Sequence, residues 1–487
     1  MRFLALFLAI AVLGGCNSQP DKPLKAGIGF SSIKNNFDNQ GLLLPEGAVY
    51  DILYSERTDS VLTADGKKFP AKGKQDYLAY IPIDGSSEHG YLFVNHELRN
   101  ANDLLGDGGG MSWFEVKKEG GRWKTVGGHH YITFDSLGGT WHNCGGGMTP
   151  KGTILSAEEY PTASNAELYH NGEHFRDTSD WKGFKRYEHM GWMVEVDPVS
   201  KKPLHKLYAM GRFSHEDVHC MPDGKTVYMT DDNGPGVFFK FVADNANDYT
   251  RGQLYAYQQS TDGQSGDWLA LPRDTASLIN AREVAFKLGA TMFIGQEWVQ
   301  EFNGKIYITE TGGDTTNFAR GLKLGGKVAH HLSQAPVKVN DSLVDAPYGH
   351  ILVLDPTSNK MEVLISGGVM KDGGNFSQPD GLAAATINGK PYLIVCEDIN
   401  GGKRARVSGL AHAKGEKYNE MYFLDLSLPK PTKDDLVRFS VGPRGCEETG
   451  PIFTPDGKTL FFVVQNPATE NVEPFNRSTV VAVTGVF

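Results

Sequence analysis

Short apolar runs recur along this chain, each opened by a glycine turn and closed by carboxylates or amides. The six units run from Gly90 to His96-Glu97, Gly152 to Glu158-Glu159, Gly224 to Asp231-Asp232, Gly304 to Glu310, Gly389 to Glu397-Asp398 and Gly457 to Gln465-Asn466. Runs of this length, apolar or alternating and bounded by Gly, Pro or Asp, predict strands. Pro222-Asp223-Gly224-Lys225, Asn303-Gly304, Asn388-Gly389 and Pro455-Asp456-Gly457-Lys458 predict hairpins, because glycine supplies the positive φ and Asn or Asp tolerates it. About seven to ten residues before five of the turns stands a second polar position: Cys144, Glu216, Glu297, Asp380 and Glu447. One unit repeated with its charged end in the same place predicts radial symmetry, with innermost strands lining a central channel. The expected fold is all-β, a six-bladed β-propeller with helical and loop insertions.

Neighbouring turns are roughly 60 to 85 residues apart, longer than compact propeller repeats of ~40 to 50 residues. The excess falls in three insertions. Thr162 to Arg186 is polar and aromatic. Asp244 to Thr291 predicts a helix capped by Asp274, with Leu278, Ala281, Ala285 and Leu288 on one face and Gly289 as its stop. Thr311 to Pro347, rich in Gly, Lys and His, reads as a mobile loop. These segments interrupt repeats instead of separating them, so residues 26–487 read as one propeller domain. Trp192 to Pro198 and His350 to Pro356, both ending in Asp-Pro turn starters, supply further strands.

The N-terminus is read separately. Arg2, the apolar stretch Phe3 to Leu13 and the lipobox Leu13-Gly14-Gly15-Cys16 predict a lipoprotein signal over residues 1–16, lipidated at Cys16, with residues 17–25 as a tether. The apolar stretch is too short to span a membrane, so membrane attachment would be through the lipid alone. Asn17 in place of aspartate favours an outer-membrane lipoprotein facing the periplasm or the cell surface. Export permits disulfides. A pair among Cys220, Cys396 and Cys446 and a set of reduced buried thiols both remain open. The formal charge of −10 argues against nucleic acid as a partner and fits carboxylates gathered around cations. A monomer is expected.

In a propeller, Cys144, Glu216, Glu297, Asp380 and Glu447 would form one ring, with Glu97, Glu159 and Asp232 leading a second tier. So many carboxylates cannot all ionise together without cations. Oxygen-rich groups suit Ca²⁺, while one thiolate among them suits ferric iron or zinc. His215-Glu216-Asp217-Val218-His219 also satisfies the HExxH pattern. That chemistry needs a helix, whereas this stretch sits where other units read as strand or loop. The pairs His129-His130 and His330-His331 read as surface residues. Nucleophile-elbow and phosphate-loop patterns are missing from the sequence.

Several blocks together resemble the PhoX family of exported, calcium- and iron-dependent alkaline phosphatases. They are Asn95-His96-Glu97, Asn143-Cys144 to Glu158-Glu159, Gly211 to Glu216, Lys240-Phe241-Val242, Pro379-Asp380-Gly381-Leu382 and Gly445 to Gly457. The resemblance implies a six-bladed propeller that hydrolyses small phosphomonoesters with Ca²⁺ and Fe³⁺. It implies that Cys144 ligates iron and that Glu97, Glu159, Glu216, Glu297, Asp380 and Glu447 hold metals, with Glu297 and Cys144 in the catalytic group. Two departures stand out. The family's Arg-Pro-Glu becomes Gly295-Gln296-Glu297, removing the arginine expected to grip phosphate, and Gln-His-Pro becomes Gln465-Asn466-Pro467. Arginine offers a planar two-pronged grip that glycine cannot replace. Arg320, in the nearby insertion, is the candidate substitute. The alternative is a metal-binding propeller without phosphatase activity, which binds a ligand or hydrolyses another ester.

Overall fold

The innermost strands of the six units pack side by side in sequence order, and the sixth packs against the first, closing a ring. The computed structural model describes residues 27–487 apart from 35–38, 100–104, 107, 169–178, 335–336, 341 and 400–417. The predicted signal segment with Cys16 and the tether lie outside the described residues. Among the described residues no helix is long and apolar enough to cross a membrane.

The four main strands of each blade, ordered from the channel outward, form an antiparallel sheet. Blade 1 runs Gln75–Pro82, His89–His96, Met111–Glu119 and Arg122–Ile132, with two short strands added at its edge. Blade 2 runs Asn143–Met148, Ile154–Glu158, Met193–Asp197 and Lys202–Lys206. Blade 3 runs His215–Cys220, Thr226–Asp231, Phe239–Asn245 and Asp248–Gln259, with Gly266–Ala270 outermost. Blade 4 comprises Gln296–Phe302, Lys305–Glu310, His350–Asp355 and Lys360–Ser366. Blade 5 comprises Pro379–Ile387, Lys390–Glu397, Glu420–Asp425 and Val437–Val441. Blade 6 is built from both ends of the domain: Glu447–Phe453, Leu460–Gln465 and Thr479–Thr484 are completed by Val49–Ser55, which pairs from Val49↔Thr484 to Ser55↔Thr479. The six-bladed propeller is therefore closed by an N-terminal strand.

Two local features position the channel residues. In blades 1 to 5 the innermost strand slips register at its channel end, as between Gln75 and Leu78 or Gln296 and Val299. Such a bulge re-aims the side chain next to it. Second, Gly145 and Gly147 let two innermost strands touch: a Cβ there would stand 2.4 Å from the Glu216 carbonyl and 2.3 Å from that of Val218.

The insertions differ from expectation. The predicted helix is two, Thr275–Ile279 and Ala281–Leu288, broken at Asn280. Asp274 caps the first by accepting from the Ser277 N–H at 3.0 Å, and Gly289 stops the second with φ +93°. The second helix buries Ala281, Ala285 and Phe286, while Leu288 is exposed. Segment 311–347 is not a loop. Gly313–Asn317, Leu343–Ala346 and Val337–Asn340 form a sheet, and Ala319–Leu324 and His330–Ser333 are helices. Cys144, Cys220, Cys396 and Cys446 are all buried thiols outside any disulfide.

Candidate metal centre

Alternation along the second strand of each blade divides the terminal pairs seen in the sequence. The second member, Glu97, Glu159, Asp232 or Asp398, faces a cavity in the channel, while the first is buried behind it. The buried members have a common task. Glu158 accepts from the Trp141 N–H (3.0 Å), Asp231 from Ser214 (3.2 Å), Glu310 from Ile294 (3.0 Å) and Glu397 from Ser377 (2.8 Å). Each donor lies two or three residues before the channel residue of its blade, so these carboxylates clamp the segment that delivers it. A buried carboxylate needs a countercharge. Glu158 has Lys206 at 2.8 Å, Asp231 has Arg282, and Glu397 adjoins the Glu420–Arg438 pair.

Ahead of these clamps, Cys144, Glu216, Glu297 and Asp380 come together as expected. The thiol lies 3.0 Å from Glu216 Oε1, and ligand atoms of Glu216, Glu297 and Asp380 lie within 4.8 Å of one another. A second group joins Glu159, Glu216 and Asp232, and a third joins Glu97, His142 and Glu159. Asp76 completes the ring beside Cys144, its Oδ2 accepting from Sγ at 2.9 Å. Sequence spacing missed Asp76 and did not assign His142 a role. His142 sits between two carboxylates, with Nδ1 2.9 Å from Glu159 and Nε2 3.3 Å from Glu97. In blade 6 the register slips later, between Thr449 and Ile452, and the Thr449 hydroxyl donates to Asp76 from the ring. Glu447 reaches the cavity from two residues upstream. Gln465 and Asn466 do not line it.

The cavity, about 440 Å³, is lined by nine carboxylates and the Cys144 thiol, and among the described residues no Lys, Arg or His joins them. Burial, then the surrounding acids, raises Glu159, Glu216 and Asp380 well above the ordinary carboxylate range. The same causes raise Cys144. Burial and Glu97 push Asp76 up to about 7. His142, fully buried and facing Arg99 and Lys74, is held well below the ordinary imidazole value and is neutral. These groups hold protons that a cation would displace. The donor set fits: clustered oxygens suit Ca²⁺, and a sulfur flanked by two carboxylates suits a softer, highly charged ion.

The HExxH stretch is a strand. Its alternation sends His215 to the Gly211 carbonyl (2.9 Å) while Glu216 enters the cavity, which excludes the helical zinc arrangement. Arg320 does not reach the cavity; it is solvent-exposed and paired with Glu283 at 3.0 Å. Gly295 does line it, with φ +60°, and a Cβ there would stand 2.2 Å from Thr311 Oγ1. That hydroxyl donates to Glu297 Oε1 at 2.6 Å. Arg99, unremarked in the sequence, stacks its guanidinium 4.2 Å above the ring of the lining residue Tyr160. Its Nε donates to His142 at 3.3 Å. His129 and His331 are not surface residues: His129 is bonded to the Leu53 carbonyl and His331 to Glu310.

A family model described as alkaline phosphatase PhoX matches residues 29–468. The chain belongs to the PhoX family. The Pseudomonas fluorescens PhoX structure, in complex with vanadate as a transition-state analogue, has a similar fold. Its TM-score is 0.70 at 22% identity, over 94% of this chain and 98% of that one. Trypanosoma rangeli sialidase (TM-score 0.40, 11% identity, 91% and 60% coverage) is a far weaker match. So is the calcium structure of a Trichoderma reesei carbohydrate-active enzyme of family AA12 (TM-score 0.41, 11%, 93% and 98%). No curated protein sequence matches the chain. Membership in PhoX places this chain in an alkaline phosphatase family.

Proposed function

We propose that this protein hydrolyses small phosphomonoesters in the channel cavity, in a cation-dependent reaction at alkaline pH. The observation that carries the reading is the wall of nine carboxylates and one thiol, with no basic side chain among the described lining residues. A phosphate dianion would be repelled from such a wall unless cations first reversed its sign. Glu159, Glu216, Glu297 and Asp380 would hold Ca²⁺, with Glu97 and Glu447 contributing from the same cavity lining. Cys144, between Asp76 and Glu216, would hold Fe³⁺. Bound cations of this kind neutralise phosphoryl oxygens and lower the pKa of water.

The chain's own groups divide the remaining work. Thr311 holds Glu297 in one orientation through its hydrogen bond, and the clamps fix the segments that carry Cys144, Glu216, Glu297 and Asp380. With Arg320 turned away, Arg99, held behind the lining residue Tyr160 by its contacts with Tyr160 and His142, would be the guanidinium to meet the ester's outer oxygens. The lipid anchor at Cys16 would keep the enzyme on the outer membrane, as a monomer, where phosphate esters are met outside the cytoplasm. The test is hydrolysis of an aryl phosphate at alkaline pH by protein loaded with calcium and iron, with a chelated control. Metal-loaded protein that turns over no phosphomonoester would overturn the reading. It would favour the second one, a metal-bound propeller with another ligand, which Gly295 supports.

A further inference from the structure

The clamp in blade 4 differs from its counterparts in blades 2 and 3. Lys206 and Arg282, permanent cations, close the clamps on Glu158 and Asp231. Glu310 instead meets two imidazoles on a single oxygen: His331 Nε2 lies 2.8 Å and His350 Nδ1 2.9 Å from Oε2. Its other oxygen is taken by the Ile294 N–H. The Glu310 carboxylate is completely buried, and the two rings are 13% and 17% exposed. Histidine, unlike lysine or arginine, carries no permanent charge, so this carboxylate lacks the fixed positive charge of its counterparts.

Strand register adds an independent observation. Gln296, Glu310 and His350 are direct partners across three adjacent strands, so their side chains share one face. The Gln296 amide is fully buried there, and neither its oxygen nor its nitrogen has a hydrogen-bond partner. One carboxylate and two imidazoles thus meet on the blade face that also carries a buried amide with no hydrogen-bond partner. Ligand atoms of Glu310, His331 and His350 all lie within 4.8 Å of one another.

We propose that Glu310, His331 and His350 form a divalent transition-metal site of the zinc class, separate from the channel centre. Two neutral imidazoles and a carboxylate are a preferred zinc donor set, with a fourth position left for water. His331 belongs to the 311–347 insertion, whereas Glu310 and His350 belong to blade strands. The ion therefore staples the insertion to the blade, and with it the cavity-lining residues Gly313, Asp314 and Thr316. It also supplies the charge that the Glu310 clamp requires.

Crystals of the full chain soaked in zinc salt should give an anomalous peak at the zinc edge about 2.0–2.2 Å from the three donor atoms. Ordered crystals with no peak there would overturn the proposal. In solution, equilibrium dialysis with elemental analysis should show that His331→Gln and His350→Gln each lose one zinc per chain, while Glu216→Gln, which alters only the channel, retains it. Equal zinc content in wild type and both histidine variants would also overturn it.

Discussion

Glu216 belongs to three of the candidate ligand groups at once, so neutralising it tests the electrostatic account of the channel most directly. Its carboxyl, fully buried beside Glu159, Glu297 and Asp380, is raised well above the ordinary value of 4.5. The unfolded chain therefore releases this proton near pH 4.5, while the cation-free folded chain keeps it. Each pH unit in that window lowers folding stability by about 1.4 kcal/mol per retained proton. That loss accumulates from the ordinary carboxylate value up to the raised one. Glu216→Gln removes the cost, because an amide carries no charge in either state. Chelator-treated Glu216→Gln should accordingly be more stable than chelator-treated wild type at pH 7 to 8, and its decline with pH should be shallower by about one proton. With calcium in excess the order should reverse, since the variant has lost a ligand. Urea titrations from pH 5 to 8.5, with and without calcium, read both effects. A variant no more stable than wild type when cation-free would refute the claim that this ring is held against its own repulsion.

Lys206→Met should cost about 3–5 kcal/mol, the usual price of stranding one member of a buried ion pair, read as a shift in the urea midpoint. A change below about 1 kcal/mol would show that Glu158 does not depend on that charge. Arg99→Ala should raise the KM for an aryl phosphate roughly tenfold to a hundredfold, the worth of a charge-assisted hydrogen bond, with metal content unchanged; an unaltered KM removes Arg99 from substrate binding. Gly295→Arg alone should lose about 1–3 kcal/mol, because the backbone φ is +60° and the new Cβ meets Thr311 Oγ1. Combining it with Thr311→Gly should recover part of the loss, and a fully stable single variant would contradict the geometry.

The strand-and-turn pattern made most of this legible because both the repeat and the two-residue alternation are local. Glu159 and Asp232 were readable as channel residues, and the innermost strands could be placed by their glycine turns. What failed depended on loops and insertions. Asp76 went unseen because its hairpin is longer: the matching turn glycine is Gly85, nine residues on, and not Gly90. The repeat spacing puts Glu447 in the ring, but the later bulge in its strand gives that place to Thr449. Arg320 sits in an insertion whose path no periodicity specifies, and it folds outward to Glu283. The role of Arg99 emerges only when blade 1 brings it over Tyr160 of blade 2.

The strand Val49–Ser55, which completes blade 6, imposes an order in time. Asp76 and Thr449 are 373 residues apart in the chain yet touch across the junction between the last blade and the first. A growing polypeptide lacks that junction until Thr449 has been made, and blade 6 is complete only when Thr479–Thr484 has met Val49–Ser55. The cavity carboxylates, from Glu97 to Glu447, can therefore gather only after the innermost strand of the last blade has been made. Loss of that strand would leave separated acids, not a smaller working site.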